Sequence, residues 1–244
     1  MSRTMVISNH HHFIFVHIIK AAGTSITREL DRHLAWNDIV LGATPLGDAM
    51  QWPYHRRFDL HKHSTAQEIK KVVQDDIWDS YFTFTFVRNP YDRAVSLYTW
   101  IEKMVKNSGY VRYPLFKFMR KKDFWSFPGT NAYLRSRSFS EFIRDEHLLN
   151  NAPGMKPQSE WITDDHDRVI VDYIGKVENI DNDLKHVGKA LGFGFQGLGI
   201  HNRSGSHQQS KYLKDSRDLD FLYHRFHKDF NVLGYDPDPE HRTR

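Results

Sequence analysis

The chain has no cysteine among its 244 residues. That excludes disulfide bridges, cysteine nucleophiles and thiolate metal sites. It has no apolar run of the roughly 18 residues that a membrane-spanning helix needs. Its first residues, MSRTMVISNHHH, lack the long apolar stretch of a secretory signal. Internal repeats and low-complexity tracts are missing too. These absences predict a cytoplasmic protein with no membrane partner. Charge of one sign is in small excess: 34 basic against 30 acidic residues give a net charge of +4. Such an excess suits an anionic small ligand or plain solubility. No nucleic-acid motif accompanies it, so no nucleic-acid partner is expected.

Hydrophobic residues make up 39% of the chain and aromatic residues 14%, enough for a packed core. Histidine is plentiful at 16. His10-His11-His12 runs directly into an apolar segment with no matching set of ligands elsewhere, so no metal site is expected.

Phe13–Ile18 is short, apolar and partly β-branched, the pattern of a buried strand. Ile26, Leu30 and Leu34 then recur at helical spacing. Residues 35–62 mix Gly, Pro, Trp and charge, and read as irregular. Thr65 with Glu68 has capping-box spacing and predicts a helix to about Gln74. Tyr81–Val87 is a second strand, and Pro90 just beyond it suits a first helical turn. Ala94, Leu97, Tyr98, Ile101 and Met104 trace one helical face. A basic-aromatic stretch fills residues 107–165, with a short helix from about Ser140. Arg168–Val177 reads as a third strand. Asp181–Leu191 is a helix stopped by Gly192, and 194–205 is a loop. Leu219, Leu222, Phe226 and Phe230 mark a last amphipathic helix. Strands alternating with helices predict an α/β fold in three layers: a central parallel sheet flanked by helices, in a single domain over 1–244.

Chemistry concentrates where the first two strands end. After Phe13–Ile18 come Lys20-Ala21-Ala22-Gly23-Thr24-Ser25 and then a helix. Small residues and a lysine at a helix N-terminus form a phosphate cradle. This is not the nucleotide loop G-x-x-x-x-G-K-[ST], because Lys20 precedes Gly23. The second strand ends in Arg88, where a magnesium-dependent nucleotidase tends to place an acidic metal ligand. A cation there points to a second anion, and hence to a ligand with phosphates at two separated positions.

The two segments resemble the motifs of the PAPS-dependent sulfotransferases, most closely the carbohydrate branch and its bacterial relatives. PAPS is adenosine 3′-phosphate 5′-phosphosulfate. His17-Ile18-Ile19-Lys20-Ala21-Ala22-Gly23-Thr24-Ser25 is similar to the family's 5′-phosphosulfate loop. Phe86-Val87-Arg88-Asn89-Pro90-Tyr91-Asp92-Arg93-Ala94-Val95-Ser96 is similar to its 3′-phosphate motif. Val171–Asn179, Asn202-Arg203-Ser204 and Leu233-Gly234-Tyr235 extend the likeness over nearly the whole chain. The resemblance implies a P-loop-like fold and a sulfuryl donor, PAPS, that leaves as PAP, with no metal. It implies that Lys20 faces the leaving group, that Ala22, Gly23, Thr24 and Ser25 cradle the 5′-phosphate, and that Arg88 and Ser96 bind the 3′-phosphate. Arg203 and Ser204 are assigned to donor binding. The acceptor is a small molecule or a glycan. One departure is Ile19, where the family usually has proline; its loss should change loop stiffness more than charge.

Transfer to a hydroxyl requires a general base. His61 and His63 lie between the two motifs, where the carbohydrate branch often carries a histidine base. His63 stands just outside the N-terminus of the Thr65 helix, whose dipole favours the neutral ring a base requires. His17 belongs to the loop and is expected to be structural. Glu178 reads either as orienting the adenosine side or as pairing with a strand neighbour, and the structural role is the expected one. Arg93 reads either as a family-typical site residue or as a helix-surface ion pair. The basic-aromatic insert around 107–165 is a candidate wall of the acceptor site, in which Lys117, Arg120, Lys121 and Lys122 would suit an anionic glycan or form a solvated face. An ATP-dependent kinase and a non-catalytic polyanion binder are the competing functions.

Overall fold

The computed structural model describes residues 5–42, 44–107, 127–195 and 211–238. Among these residues a five-stranded sheet has the order β3-β1-β2-β4-β5. Its strands are β1 (Met5–Ser8), β2 (Phe13–Val16), β3 (Ile39–Leu41), β4 (Phe82–Val87) and β5 (Tyr173–Lys176). β2, β4 and β5 run parallel, with Val16 beside Thr85 and Val87 beside Lys176. β1 pairs antiparallel with both β2 and β3. The sheet is therefore mixed, which corrects the expectation of a parallel one. β1 and β3 are too short to register as periodic runs, and β1 is joined to β2 through the histidine turn.

Each parallel strand is apolar because both of its faces are covered. On one face Phe13, Phe15, Phe84 and Phe86 pack with Ile26 and Leu30 of α1 (Gly23–Leu30). They also meet Leu184, Val187 and Leu191 of a later helix, Ile180–Leu191. On the other face Ile14, Val16 and Val87 pack with Ile18, Ile19, Trp161 and Leu233. The period-2 alternation of β2 thus divides its side chains between two cores.

Residues 35–62 are not wholly irregular. They contain β3 and α2 (Pro45–Phe58), capped by Thr44, whose hydroxyl accepts from the Gly47 N–H at 3.0 Å. The amphipathic signal fails there because only Gly47 of α2 is buried. α3 (Ala66–Val73) has both bonds of the expected capping box: Glu68 N–H to Thr65 Oγ1 at 3.2 Å and Thr65 N–H to Glu68 Oε2 at 2.8 Å. α4 (Asp75–Ser80) leads into β4. α5 (Pro90–Asn107) follows β4, buries Ala94, Leu97, Tyr98 and Ile101, and continues that face with Val105.

The described part of the 107–165 stretch builds core. Ala132, Phe139, Phe142, Ile143, Leu148 and Met155 come from α6 (Pro128–Arg135), α7 (Phe139–Ile143), α8 (Glu146–Asn151) and the turns around them, and pack against α5. β5 is shorter than the predicted strand because Thr163 and Val169 form only an isolated bridge before it. α9 (Ile180–Leu191) stops at Gly192, which is left-handed at φ 77°. α10 (Ser216–Leu233) returns across α5 through Leu222, Phe226 and Phe230. No described helix is long and apolar enough to cross a membrane.

Candidate active site

Because β2 and β4 are parallel neighbours, both motifs emerge from the same edge of the sheet. This is the edge where open α/β sheets hold their ligands. After β2 the chain turns sharply: Lys20 has φ 68° and Ala22 φ 59°, both left-handed. Alternating backbone handedness aims successive N–H groups into one concavity. Ala22 is the N-cap of α1, with no side-chain cap bond and no acidic residue in the first turn. The positive end of α1 is thus offset by no first-turn carboxylate, the arrangement an anion requires. Left-handed non-glycine residues cost of order 1–3 kcal/mol each. The neighbouring packing holds them: Ile18, Ile19 and Ala21 are buried. Ile19, where the motif it resembles usually has proline, is anchored in the core, so the loop is stiffened by packing instead of by a ring.

Gly23 is required by contact. A Cβ there would stand 1.8 Å from Cδ2 and 2.0 Å from Nε2 of His17. The His17 ring is buried, stacks on Phe15 at 6.1 Å between centroids, and lies 5.1 Å from the ring of His63. His17 is therefore the packed piece between the loop and the histidine turn. The structure brings His63 to the loop through it.

His61 and His63 differ in what their atoms are engaged in. Residues 61–64 form a closed turn, with Ser64 N–H bonded to the His61 carbonyl at 2.9 Å and His61 N–H to Ser64 Oγ at 3.0 Å. Within it His61 Nδ1 accepts from the His63 backbone N–H at 3.1 Å. In the neutral ring that assigns the proton to Nε2, so neither nitrogen of His61 has a lone pair left to take a substrate proton. Burial pushes the His61 pKa down. The turn is pinned from the far side by Trp161, whose Nε1 donates to the His63 carbonyl at 3.1 Å.

Arg88 directly follows β4 and is half-buried. Its backbone is held on both sides by the buried Gln158: Oε1 accepts the Arg88 N–H at 2.9 Å, and Nε2 donates to the Arg88 carbonyl at 2.7 Å. Gln158 is fixed in turn by Asp229 of α10, which accepts its backbone N–H at 2.8 Å and that of Ser159 at 2.8 Å. Asn89 N–H bonds Glu178 Oε1 at 2.7 Å, and Glu178 Oε2 accepts from the Tyr235 hydroxyl at 3.0 Å. Glu178 thus ties the start of α5 to Tyr235, whose pKa is pushed up by burial and, after it, by the Glu178 carboxylate. Ser96 is half-buried on α5, one turn before Trp100. The Lys20 ammonium lies 5.1 Å from the Trp100 ring, which places Lys20 over the Ser96 face of α5.

Arg93 corrects the surface ion-pair reading. It is fully buried, donates from Nη2 to the carbonyls of Gly154 (3.1 Å) and Lys156, and stacks on Phe226 at 5.2 Å. Burial lowers its pKa to about 10. A Cβ on Gly154 would touch Leu97 at 3.1 Å and Ile19 at 3.5 Å. Arg93 thus holds the turn on which the Lys20 loop rests. Trp100, Gln158 and Asp229 were not singled out in the sequence. Nothing in an isolated Gln or Asp marks it as the support of a distant backbone. Arg203, Ser204, Lys117, Arg120, Lys121 and Lys122 lie outside the described residues. Among the described residues no group of three or more His, Asp or Glu side chains is placed to hold a metal ion.

An uncharacterized protein of Archaeoglobus fulgidus is 26% identical over 130 residues, covering 52% of this chain and 81% of that protein. No solved structure matches significantly. The model of the sulfotransferase family matches residues 3–236. A match over nearly the whole length, carried on a fold that sets both motifs on one sheet edge, settles the matter of kinship: the chain belongs to the sulfotransferase family.

Proposed function

We propose that this sulfotransferase moves a sulfuryl group from PAPS to a hydroxyl, less readily an amine, of a carbohydrate or small-molecule acceptor, acting as one domain over 1–244. The observation that carries the proposal is the packed unit Gly23–His17–His63, in which a candidate base sits one ring away from a candidate phosphate cradle. PAPS would supply the sulfuryl group and, in its 5′-phosphate, a good leaving group. The cradle suits such a phosphate because Gly23 has room for no side chain and α1 carries no acidic residue in its first turn.

The chain's own residues then divide the work. The backbone of Ala22, Gly23, Thr24 and Ser25 binds the 5′-phosphate. Lys20 meets the charge that grows on the leaving oxygen, an effect worth about 10²–10³ in rate at comparable sites. Arg88 and Ser96 hold the 3′-phosphate from the end of β4 and the adjoining face of α5. His63 takes the acceptor's hydroxyl proton as the new S–O bond forms. His61 keeps the His63 turn in place.

Calorimetry with PAP and with Mg-ATP tests the donor. PAP is expected to bind, and Lys20→Ala and Arg88→Ala to lose most turnover. Tight binding of Mg-ATP with no response to PAP would favour a kinase and refute the proposal. His63→Ala is expected to lose about 10²–10⁴ in turnover with PAP affinity unchanged. Full turnover in that variant would remove His63 from the reaction.

A further inference from the structure

α2 is close to a chemical palindrome about Trp52. Met50 and Tyr54, two residues to either side, both pack against the sheet core. Trp52 lies on the opposite side of the helix from them and is 68% exposed. Asp48 and Arg56, four residues to either side, are both exposed and carry opposite charge. Leu46 and Phe58, six residues to either side, are both exposed and apolar, on opposite flanks. A surface helix ordinarily turns polar residues outward. Here three large apolar side chains stand out in solvent instead.

Asp48, Trp52 and Arg56 follow one another at i+4 steps along a single outward row. Asp48 accepts from Gln51 Nε2 at 2.9 Å, which leaves its carboxylate able to accept more. Among the described residues the Arg56 guanidinium has no hydrogen-bond or ion-pair partner. The same face carries Ala49 and the His55–Asp59 contact at 3.2 Å. Opposite charges at mirrored positions are what a twofold interface needs. In such a contact residue i of one copy meets j of the other, and j meets i. A twofold axis through Trp52, perpendicular to α2, sets two such helices antiparallel. Asp48 of each copy then faces Arg56 of the other, Trp52 faces Trp52, and Leu46 faces Phe58.

We propose that the outer face of α2 docks a second copy of this chain in a twofold, antiparallel contact centred on Trp52. The two indoles form its aromatic anchor, and the two Asp48–Arg56 pairs fix its register. The proposal does not depend on the sulfotransfer reading. One helix from each copy makes a small interface, of the class that associates weakly, so a Kd of about 10–100 µM is expected. A membrane surface fits less well. Interfacial helices set many cations around their apolar face, and here Asp48 and Asp59 stand beside Trp52. His55 on this face lies 6.2 Å from the His61 ring, so the partner would stand beside the His61–Ser64 turn.

The test is sedimentation velocity on the full chain from about 5 to about 500 µM, across the expected Kd. Wild-type protein should pass from monomer to dimer over that range. Asp48→Arg and Arg56→Asp each set like charges against each other at both contacts, and each should weaken the dimer at least about tenfold. Mixed in equal amounts, these two variants should dimerise again, because every contact between unlike copies once more joins opposite charges. The double variant Asp48→Arg/Arg56→Asp should dimerise by itself for the same reason, which also shows that neither substitution spoils the fold. Trp52→Ala should weaken the dimer by about tenfold or more. Wild-type protein that stays monomeric throughout overturns the proposal. So does a dimer indifferent to the single substitutions, or a mixture that stays monomeric. Monomeric wild-type protein that instead floats with phosphatidylserine vesicles would give the face to a membrane and overturn it too.

Discussion

Replacing Gly23 by alanine adds one methyl group and asks whether His17 can yield. Gly23 is the first residue of α1. On helix propensity alone, alanine there should stabilise by up to about 1 kcal/mol. The structure reverses that sign. The new Cβ would lie 1.8 Å from His17 Cδ2, and His17 is backed by Phe15 and His63. Forcing a methyl into packing of this kind costs about 1–3 kcal/mol. For a domain of this size that lowers Tm by roughly 2–12 °C. Displacing His17 also moves His63 and opens the cradle, so PAP affinity and turnover should fall together. Scanning calorimetry of Gly23→Ala, His17→Ala and the double variant forms the decisive cycle. In the His17→Ala background the methyl meets no ring, and Gly23→Ala should be neutral or slightly stabilising. Coupling of about 0.5–3 kcal/mol is expected for residues in contact. An equal cost in both backgrounds, or a Gly23→Ala protein with wild-type Tm and PAP affinity, would refute the reasoning.

Arg93→Met leaves the buried carbonyl of Gly154, and the more accessible one of Lys156, without their donor. A loss of about 1–3 kcal/mol for the orphaned Gly154 group is expected in urea unfolding, and an unchanged midpoint would show that the guanidinium holds nothing. Asp229→Asn sets an amide donor against the N–H groups of Gln158 and Ser159. It should weaken PAP binding through Gln158 and Arg88 without contacting the site, as titration can measure; unchanged affinity would break that relay. His61 has a folded pKa pushed below its ordinary 6.5. Its neutral form is favoured by folding, so stability is full above about pH 6.5 and declines as pH falls toward the lowered value. Tm measured at about pH 7.5 and about pH 5.5 should fall less in His61→Gln than in the wild type; equal falls would place the acid sensitivity elsewhere.

The elements legible in the sequence are those whose pattern is strong and local. The Thr65–Glu68 capping box, the apolar β2 and β4, the Gly192 stop and the face of α5 all depend on neighbours within a turn or on burial of both strand faces. β1, β3 and α2 escaped because two are very short and the third has apolar residues on both of its sides.

The same division runs through the candidate site. Sequence alone determined the order of the motifs, Lys20 before Gly23 and Arg88 at a strand end, because a phosphate loop and a charge at a strand terminus are written in consecutive residues. It also placed two candidate bases, His61 and His63, in one short turn. Only the tertiary structure showed how their surroundings differ: His61 spends its Nδ1 on the backbone of His63, while His63 packs on His17 against the loop. Only the structure turned Arg93 from a surface cation into a buried clamp and found Gln158 and Asp229 beneath Arg88. These are contacts between residues far apart in the chain. Their energies come from burial and hydrogen bonds that exist only once the sheet has brought the segments together.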